Sequence, residues 1–206
     1  MIKENIARLS IPQHVKLVAV TKNVDVSRIL EAVNAGIKCI GENKVQEAKL
    51  KFQMLPAGIE KHMIGHLQTN KVKDAVMLFD VIQSIDSIKL LAEVDRRCME
   101  IGKVMPVLIE INIGSEESKS GINADELQNF LKEAKGFPNI TVEGLMCIAP
   151  IDEHKARLCF RKMKGLFDAS NLKLLSMGMS NDYKIAIEEG SNMVRIGTAI
   201  FGEREP

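Results

Sequence analysis

Short, uninterrupted apolar runs alternate along the chain with segments whose apolar residues recur at helical spacing. The first run is Leu17-Val18-Ala19-Val20. Asp25 then reads as an N-cap, Val26, Ile29, Leu30 and Val33 fall at i, i+3, i+4 and i+7, and Gly36 supplies the stop. Cys39-Ile40 predicts a second strand ending at Gly41, with a helix over 45–54. His62-Met63-Ile64 predicts a third strand with a helix after Thr69. Residues 79–82 predict a fourth, and Leu91, Val94, Cys98 and Ile101 mark the helix behind it. The Val- and Ile-rich run 104–113 is the fifth. Asn123 and Glu126 form a capping-box pair at the start of the next helix, whose stripe is Leu127, Phe130, Leu131 and Ala134. Residues 140–148 predict the sixth strand, followed by a helix with Ala156, Cys159, Phe160, Met163 and Phe167 on one face. Residues 172–175 predict the seventh, followed by a helix over about 181–189, and 193–196 the eighth.

Eight strand-then-helix units of about 25 residues, with strands apolar throughout, fit a parallel sheet covered on both faces. The expected fold is α/β, a single (β/α)8 TIM barrel of parallel strands. Residues 197–206 are too few for a full closing helix, and an N-terminal helix is expected over 3–10. Periodicity alone leaves a doubly wound open sheet as the rival. No Pro/Gly/Ser-rich linker marks a boundary, so one domain over 1–206 is expected.

Composition narrows the function. The chain has 206 residues, 46% hydrophobic and 27% charged, which is globular. Lys plus Arg (28) nearly cancels Asp plus Glu (27), leaving a net charge of +1, so nothing electrostatic favours nucleic acid or an anionic membrane. No Trp and a single Tyr argue further against base stacking. The N-terminus is charged and no apolar stretch approaches the roughly 20 residues of a membrane span, so a cytoplasmic location is expected. Cys39, Cys98, Cys147 and Cys159 lack C-x-x-C spacing and read as buried thiols, with no metal site.

In a barrel the residues just after each strand carry the chemistry. Lys22 follows the first strand, where desolvation favours the neutral amine that attacks a carbonyl; a lysine snorkelling to the rim is the plainer alternative. The loops after strands seven and eight, the usual phosphate cradle of barrels, offer Gly178 and Gly197 for close backbone approach and the hydroxyls of Ser176, Ser180 and Thr198. A helix opening near Ser180 would aim N–H groups at an anion, unless Ser180 merely caps it. Arg195 interrupts the eighth strand, either facing a ligand or bridging to a neighbouring strand. Lysine, phosphate cradle and inward arginine together suit a phosphorylated aldehyde, pyridoxal 5'-phosphate, with Lys22 forming the imine. His62 and His66 are four apart but not on a helix, so they do not form an H-E-x-x-H zinc site, and His66 is expected as a rim hydrogen-bonder. P-loop, G-x-G-x-x-G and G-x-S-x-G motifs are absent. The polar loop 114–121 is ordinarily solvated, with an anion-binding or lid role as its functional alternative.

The segments Leu-Val-Ala-Val-Thr-Lys (17–22), Gly-Glu-Asn-Lys-Val-Gln-Glu (41–47), Ile-Gly-His-Leu-Gln-Thr-Asn-Lys (64–71), Leu-Ser-Met-Gly-Met-Ser (175–180) and Met-Val-Arg-Ile-Gly-Thr-Ala-Ile-Phe-Gly (193–202) carry a family resemblance. From about Val15 to Gly202 the chain resembles the pyridoxal phosphate homeostasis proteins, which look like the barrel domain of alanine racemase standing alone. The resemblance implies that Lys22 carries the cofactor as an internal aldimine, that Ser176, Ser180, Gly197 and Thr198 hold its phosphate, and that Arg195 approaches the pyridine nitrogen. Asn43 and His66 match positions in the pocket wall. The stretch before Val15 is shorter than in similar proteins, and Asn23-Val24 stands where a proline is common. The implied function is a monomeric, non-catalytic carrier or buffer in pyridoxal phosphate homeostasis, with pyridoxal-dependent apo-enzymes as possible recipients. The alternatives are a pyridoxal-dependent amino-acid racemase and a sugar-phosphate aldolase using Lys22 for a substrate imine. The similar racemases take a tyrosine from a second domain and a partner subunit, whereas this chain has only Tyr183, expected as a packed or surface residue.

Overall fold

The computed structural model describes residues 1–114 and 120–203. It is a closed barrel of eight parallel strands in sequence order, so the open-sheet alternative falls. The strands are β1 Lys16–Val20, β2 Cys39–Glu42, β3 Glu60–Met63, β4 Val81–Ile85, β5 Met105–Glu110, β6 Ile140–Met146, β7 Leu174–Ser176 and β8 Met193–Ile196. The helices are α1 Ile2–Arg8, α2 Val26–Asn34, α3 Val45–Lys51, α4 Val72–Leu78, α5 Ile88–Glu100, α6 Leu127–Ala134, α7 Glu153–Ser170, α8 Tyr183–Glu188 and α9 Thr198–Phe201. β8 pairs with β1 through Leu17 opposite Val194 and Val18 opposite Arg195, which closes the ring.

The short α9 does not fill its place in the helical layer alone. The N-terminal α1 packs against both α9 and α2, Asn5 Nδ2 donates to Ile200 O at 3.0 Å, and Tyr183 Oη donates to Leu9 O at 3.1 Å. Ile2 and Leu9 are buried by this docking.

Among the elements that begin later than the sequence pattern predicts are the seventh strand, at Leu174, the fourth strand and the last full helix. The fourth strand starts at Val81, because Phe79 ends α4 with its N–H on Ala75 O and sets its ring edge-on to Phe52, centroids 5.3 Å apart. The last full helix starts at Tyr183, because the Asp182 carboxylate takes the Met179 N–H and ends the loop there. The expected pairing at the start of α6 is present, with Asn123 N–H donating to Glu126 Oε2 at 2.8 Å.

The two faces of the sheet differ. Outward residues such as Ala19, Ile40, Met63, Ile82, Val107, Leu145, Leu175 and Val194 join the helices in one continuous apolar cluster. Among the described residues the inner face holds two small apolar groups, Val18 with Cys39 and Met193, and Val81 with Leu108 and Met146. Between them stand the buried polar residues His62, Gln83, Ser176, Glu110 and Arg195. All four cysteines are buried thiols. At the barrel floor, where the strands begin, Cys39, Glu60 and His62 bring ligand-type atoms within 4.8 Å of one another, but Glu60 gives both its oxygens to Lys16.

Candidate functional site

A cavity of about 540 Å³ opens at the C-terminal ends of the strands, the face on which barrels carry their chemistry. Its wall includes Lys22, Asn43, Ser180, Arg195, Gly197 and Thr198, so six of the eight residues singled out from sequence converge on one mouth.

Lys22 is placed by the turn after β1. Thr21 is fully buried, its N–H on Gly41 O at 2.9 Å and its hydroxyl donating to Glu42 Oε1 at 2.7 Å. Lys51 Nζ reaches Thr21 O, Glu42 and Glu47 at 2.7–2.9 Å. Asn23, in left-handed backbone at φ 55, donates its N–H to Glu47 Oε2 at 3.0 Å. An asparagine tolerates that conformation and a proline does not, which gives the Asn23-Val24 departure a backbone role. Glu42, behind the turn, has its pKa raised by burial against the opposing pull of Lys51 and Thr21.

Asn43 follows β2 on the cavity wall, its Oδ1 buried and without a partner among the described residues. Gly65 makes this possible, because a Cβ there would lie 2.5 Å from Asn43 O. A buried, orphaned acceptor facing a cavity marks a place where a ligand donor fits.

Ser180 does not cap α8. Its Oγ accepts from Gly197 N–H at 3.2 Å and Ala199 N–H at 3.3 Å, across the loop after β8. An oxygen thus already rests where two backbone amides converge beside Thr198. Gly178, at φ 96, turns the preceding loop so that its carbonyl accepts the Arg195 N–H at 3.0 Å.

Arg195 points into the barrel from β8 and is almost wholly buried. Nη1 donates to Ser176 Oγ at 2.7 Å and Nη2 to Cys147 O at 2.8 Å. Both acceptors are neutral. Desolvation lowers its pKa from the usual guanidinium value, and the Glu110 and Asp182 carboxyls oppose that through longer-range attraction. Burial pushes the Cys147 thiol up to about 12, so it stays protonated.

Ser176 and His66 lie outside the cavity wall. Ser176 is the fully buried last residue of β7 and faces the barrel interior beneath Arg195, not the loop above it. His66 stands exposed at the rim with Nδ1 3.2 Å from Asp86 Oδ2, as its rim reading anticipates. The loop 114–121 lies mostly outside the described residues. Sequence reasoning passed over Asp182, on the cavity wall, and Glu110, buried at the end of β5 with Oε2 unpartnered among the described residues. Burial raises the pKa of both. Each ends or follows an element whose register had to be known before its direction could be.

The family model described as alanine racemase, N-terminal domain, matches residues 1–205. The pyridoxal phosphate homeostasis protein of Aquifex aeolicus is 42% identical over 199 residues, 92% of this chain and 87% of that protein. The structure of PipY of Synechococcus elongatus with PLP bound is 33% identical and superposes with a TM-score of 0.89, covering 98% of this chain and all of that one. A Clostridium difficile alanine racemase shares the fold at 14% identity and TM-score 0.80, this chain covering 57% of its length. The barrel with its lysine-to-arginine mouth therefore belongs to the alanine racemase N-terminal domain family.

Proposed function

We propose that the mouth binds pyridoxal 5'-phosphate and that the protein serves pyridoxal phosphate homeostasis as a binder without catalytic turnover. The observation that carries this is the one cavity joining Lys22, at one strand end, to a buried Arg195 whose hydrogen-bond partners among the described residues are neutral. PipY, one-third identical to this chain over almost its whole length, has been solved with PLP bound, and that supports the assignment.

When bound, the cofactor supplies an electrophilic aldehyde carbon and a phosphate. Lys22 Nζ bonds that carbon with loss of one water. Ser180, Gly197 and Thr198 hold the phosphate through hydroxyl and backbone N–H donors. Asn43 Oδ1 accepts from a donor on the ligand. Arg195 faces the pyridine nitrogen. A guanidinium only donates, so it keeps that nitrogen unprotonated and the ring a weak sink for carbanion electrons. Ser176 acts beneath Arg195, as an acceptor for its Nη1, and not on the phosphate.

Racemisation also requires an acid opposite the lysine. Tyr183, the chain's single tyrosine, is buried with its hydroxyl on Leu9 O, away from that position. The reading extends to a cytoplasmic monomer that can yield its cofactor to pyridoxal-dependent apo-enzymes. Among the described residues no helix is long and apolar enough to cross a membrane.

The test is spectroscopic. Purified protein with pyridoxal phosphate should develop a visible absorbance band that survives dialysis and is absent from Lys22→Ala. Lack of the band in the unmutated protein rejects the site. Turnover of an amino-acid enantiomer, lost in Lys22→Ala, rejects the non-catalytic half.

A further inference from the structure

Beneath Arg195 the barrel axis is polar down to its floor. Ser176 Oγ, which accepts from Arg195 Nη1, donates to Gln83 Oε1 at 2.6 Å. Gln83 Nε2 lies 2.6 Å from His62 Nδ1 and 3.2 Å from Met193 Sδ. His62 Nε2 stands 3.0 Å from Glu60 Oε1, and Glu60 takes Lys16 Nζ at 2.8 and 2.9 Å. Ser176, Gln83 and His62 are fully buried, so no water competes for these groups at their surfaces.

The direction of every bond is fixed from the top. A guanidinium cannot accept, so the Ser176 hydroxyl proton has to go to Gln83 Oε1. The Gln83 amide then turns both N–H groups the other way, toward two acceptors, His62 Nδ1 and the Met193 thioether. His62 Nδ1 is therefore bare, and the ring proton sits on Nε2, 3.0 Å from Glu60 Oε1 but off the hydrogen-bonding direction. From Arg195 Nη1 through Ser176 and Gln83 to His62 Nδ1 each donor points toward the floor, an arrangement in which each bond polarises the next. A proton on Nδ1 would force the amide to turn over, and the Ser176 hydroxyl would lose its acceptor.

We propose that Gln83 and His62 are positioning residues for the ligand site: through Ser176 they fix where the Arg195 guanidinium lies in the mouth, without touching the ligand themselves. The functional consequence rests on the pyridoxal phosphate reading of the mouth, whereas the file of bonds does not.

The experiment therefore has two arms. In ligand-free protein carrying 15N-histidine, NMR should show the His62 ring protonated on Nε2 and bare on Nδ1, with the Nδ1 resonance moving in Gln83→Met. A wild-type ring protonated on Nδ1 overturns the proposal. In the second arm, Gln83→Met, which conserves side-chain volume, should retain pyridoxal phosphate about tenfold more weakly and shift the visible band. His62→Leu should do the same, while His62→Asn, which keeps an acceptor near Nδ1, should return retention to within about twofold of wild type. A folded Gln83→Met with unchanged band and retention overturns the positioning role. Wild-type protein that takes up no pyridoxal phosphate sinks the function proposed for the mouth instead, and the NMR arm still decides the file.

Discussion

Glu60 at the floor of the barrel and Glu110 at its mouth are both strand carboxylates in polar company, and they end in opposite states. The His62 ring and the Lys16 ammonium hold the Glu60 carboxyl down to about 2, against the opposing effect of partial burial. Among the described residues Glu110 receives one hydrogen bond, from Ser120 Oγ at 3.1 Å, and its other oxygen has no partner, while burial raises its pKa. Arg195 and Asn43 repeat the pattern at the mouth, one with neutral partners and one with an orphaned acceptor. Among the described residues the Glu60 charge is met by Lys16, whereas at the mouth acceptors are left that a ligand can finish; His62 Nε2 near the floor is the exception, close to Glu60 without a hydrogen bond.

That contrast is open to attack from both ends. Lys22→Ala should abolish the bound chromophore while the ligand-free protein unfolds in urea within about 0.5 kcal/mol of wild type; a large loss of stability would make Lys22 a floor-type residue. Arg195→Met should weaken cofactor retention about tenfold or more, yet leave the ligand-free protein no less stable, because a buried cation without a carboxylate partner in hydrogen-bonding reach gives little net stabilisation. Isothermal titration paired with thermal melts would check both halves.

Glu110→Gln should raise stability at pH 7 by about 1 kcal/mol. The sign follows from the raised pKa: the folded chain holds the Glu110 proton more tightly than the unfolded chain, so wild type recovers the difference as pH falls toward the unfolded value of about 4.3. The gap between variant and wild type should therefore narrow in acid. Glu60→Gln should show the opposite slope. A lowered pKa contributes stability above about pH 4.3 that is lost as pH falls toward 2, so the variant should be slightly less stable at pH 7, by under about 1 kcal/mol given its partial exposure, and lose less on acidification. Parallel slopes for the two variants would erase the distinction between floor and mouth.

The barrel was legible because parallel strands buried on both faces read as unbroken apolar runs, and the loops between them announce themselves with glycine and polar residues. The same continuity hides which residues face inward. Ser176 follows an apolar run and reads as part of the phosphate loop, yet it is the last residue of β7, and one residue of register turns it to the interior. Gln83 was invisible because the fourth strand was set at 79–82; only with Val81–Ile85 as the strand does its side chain join the inner face. Lys22 and Arg195 stand out in the sequence because each is a polar residue at or within an apolar run, where burial demands a reason, whereas Asn43 enters only through the family resemblance, and the structure places all three on one cavity wall. Ser180 reads from sequence as a phosphate hydroxyl or a helix cap, but its partners lie across a different loop, and no local pattern encodes them.

The pairing of the last strand with the first also governs when this protein can fold. Until Met193–Ile196 has left the ribosome, β1 has a partner on only one side, and Val18 and Leu17 lie along an open sheet edge. The contacts between α1 and α9 wait for the same moment. Most of the chain must therefore be synthesised as a sheet that can still pair with a neighbouring nascent copy, and the closing strand ends that exposure in one step.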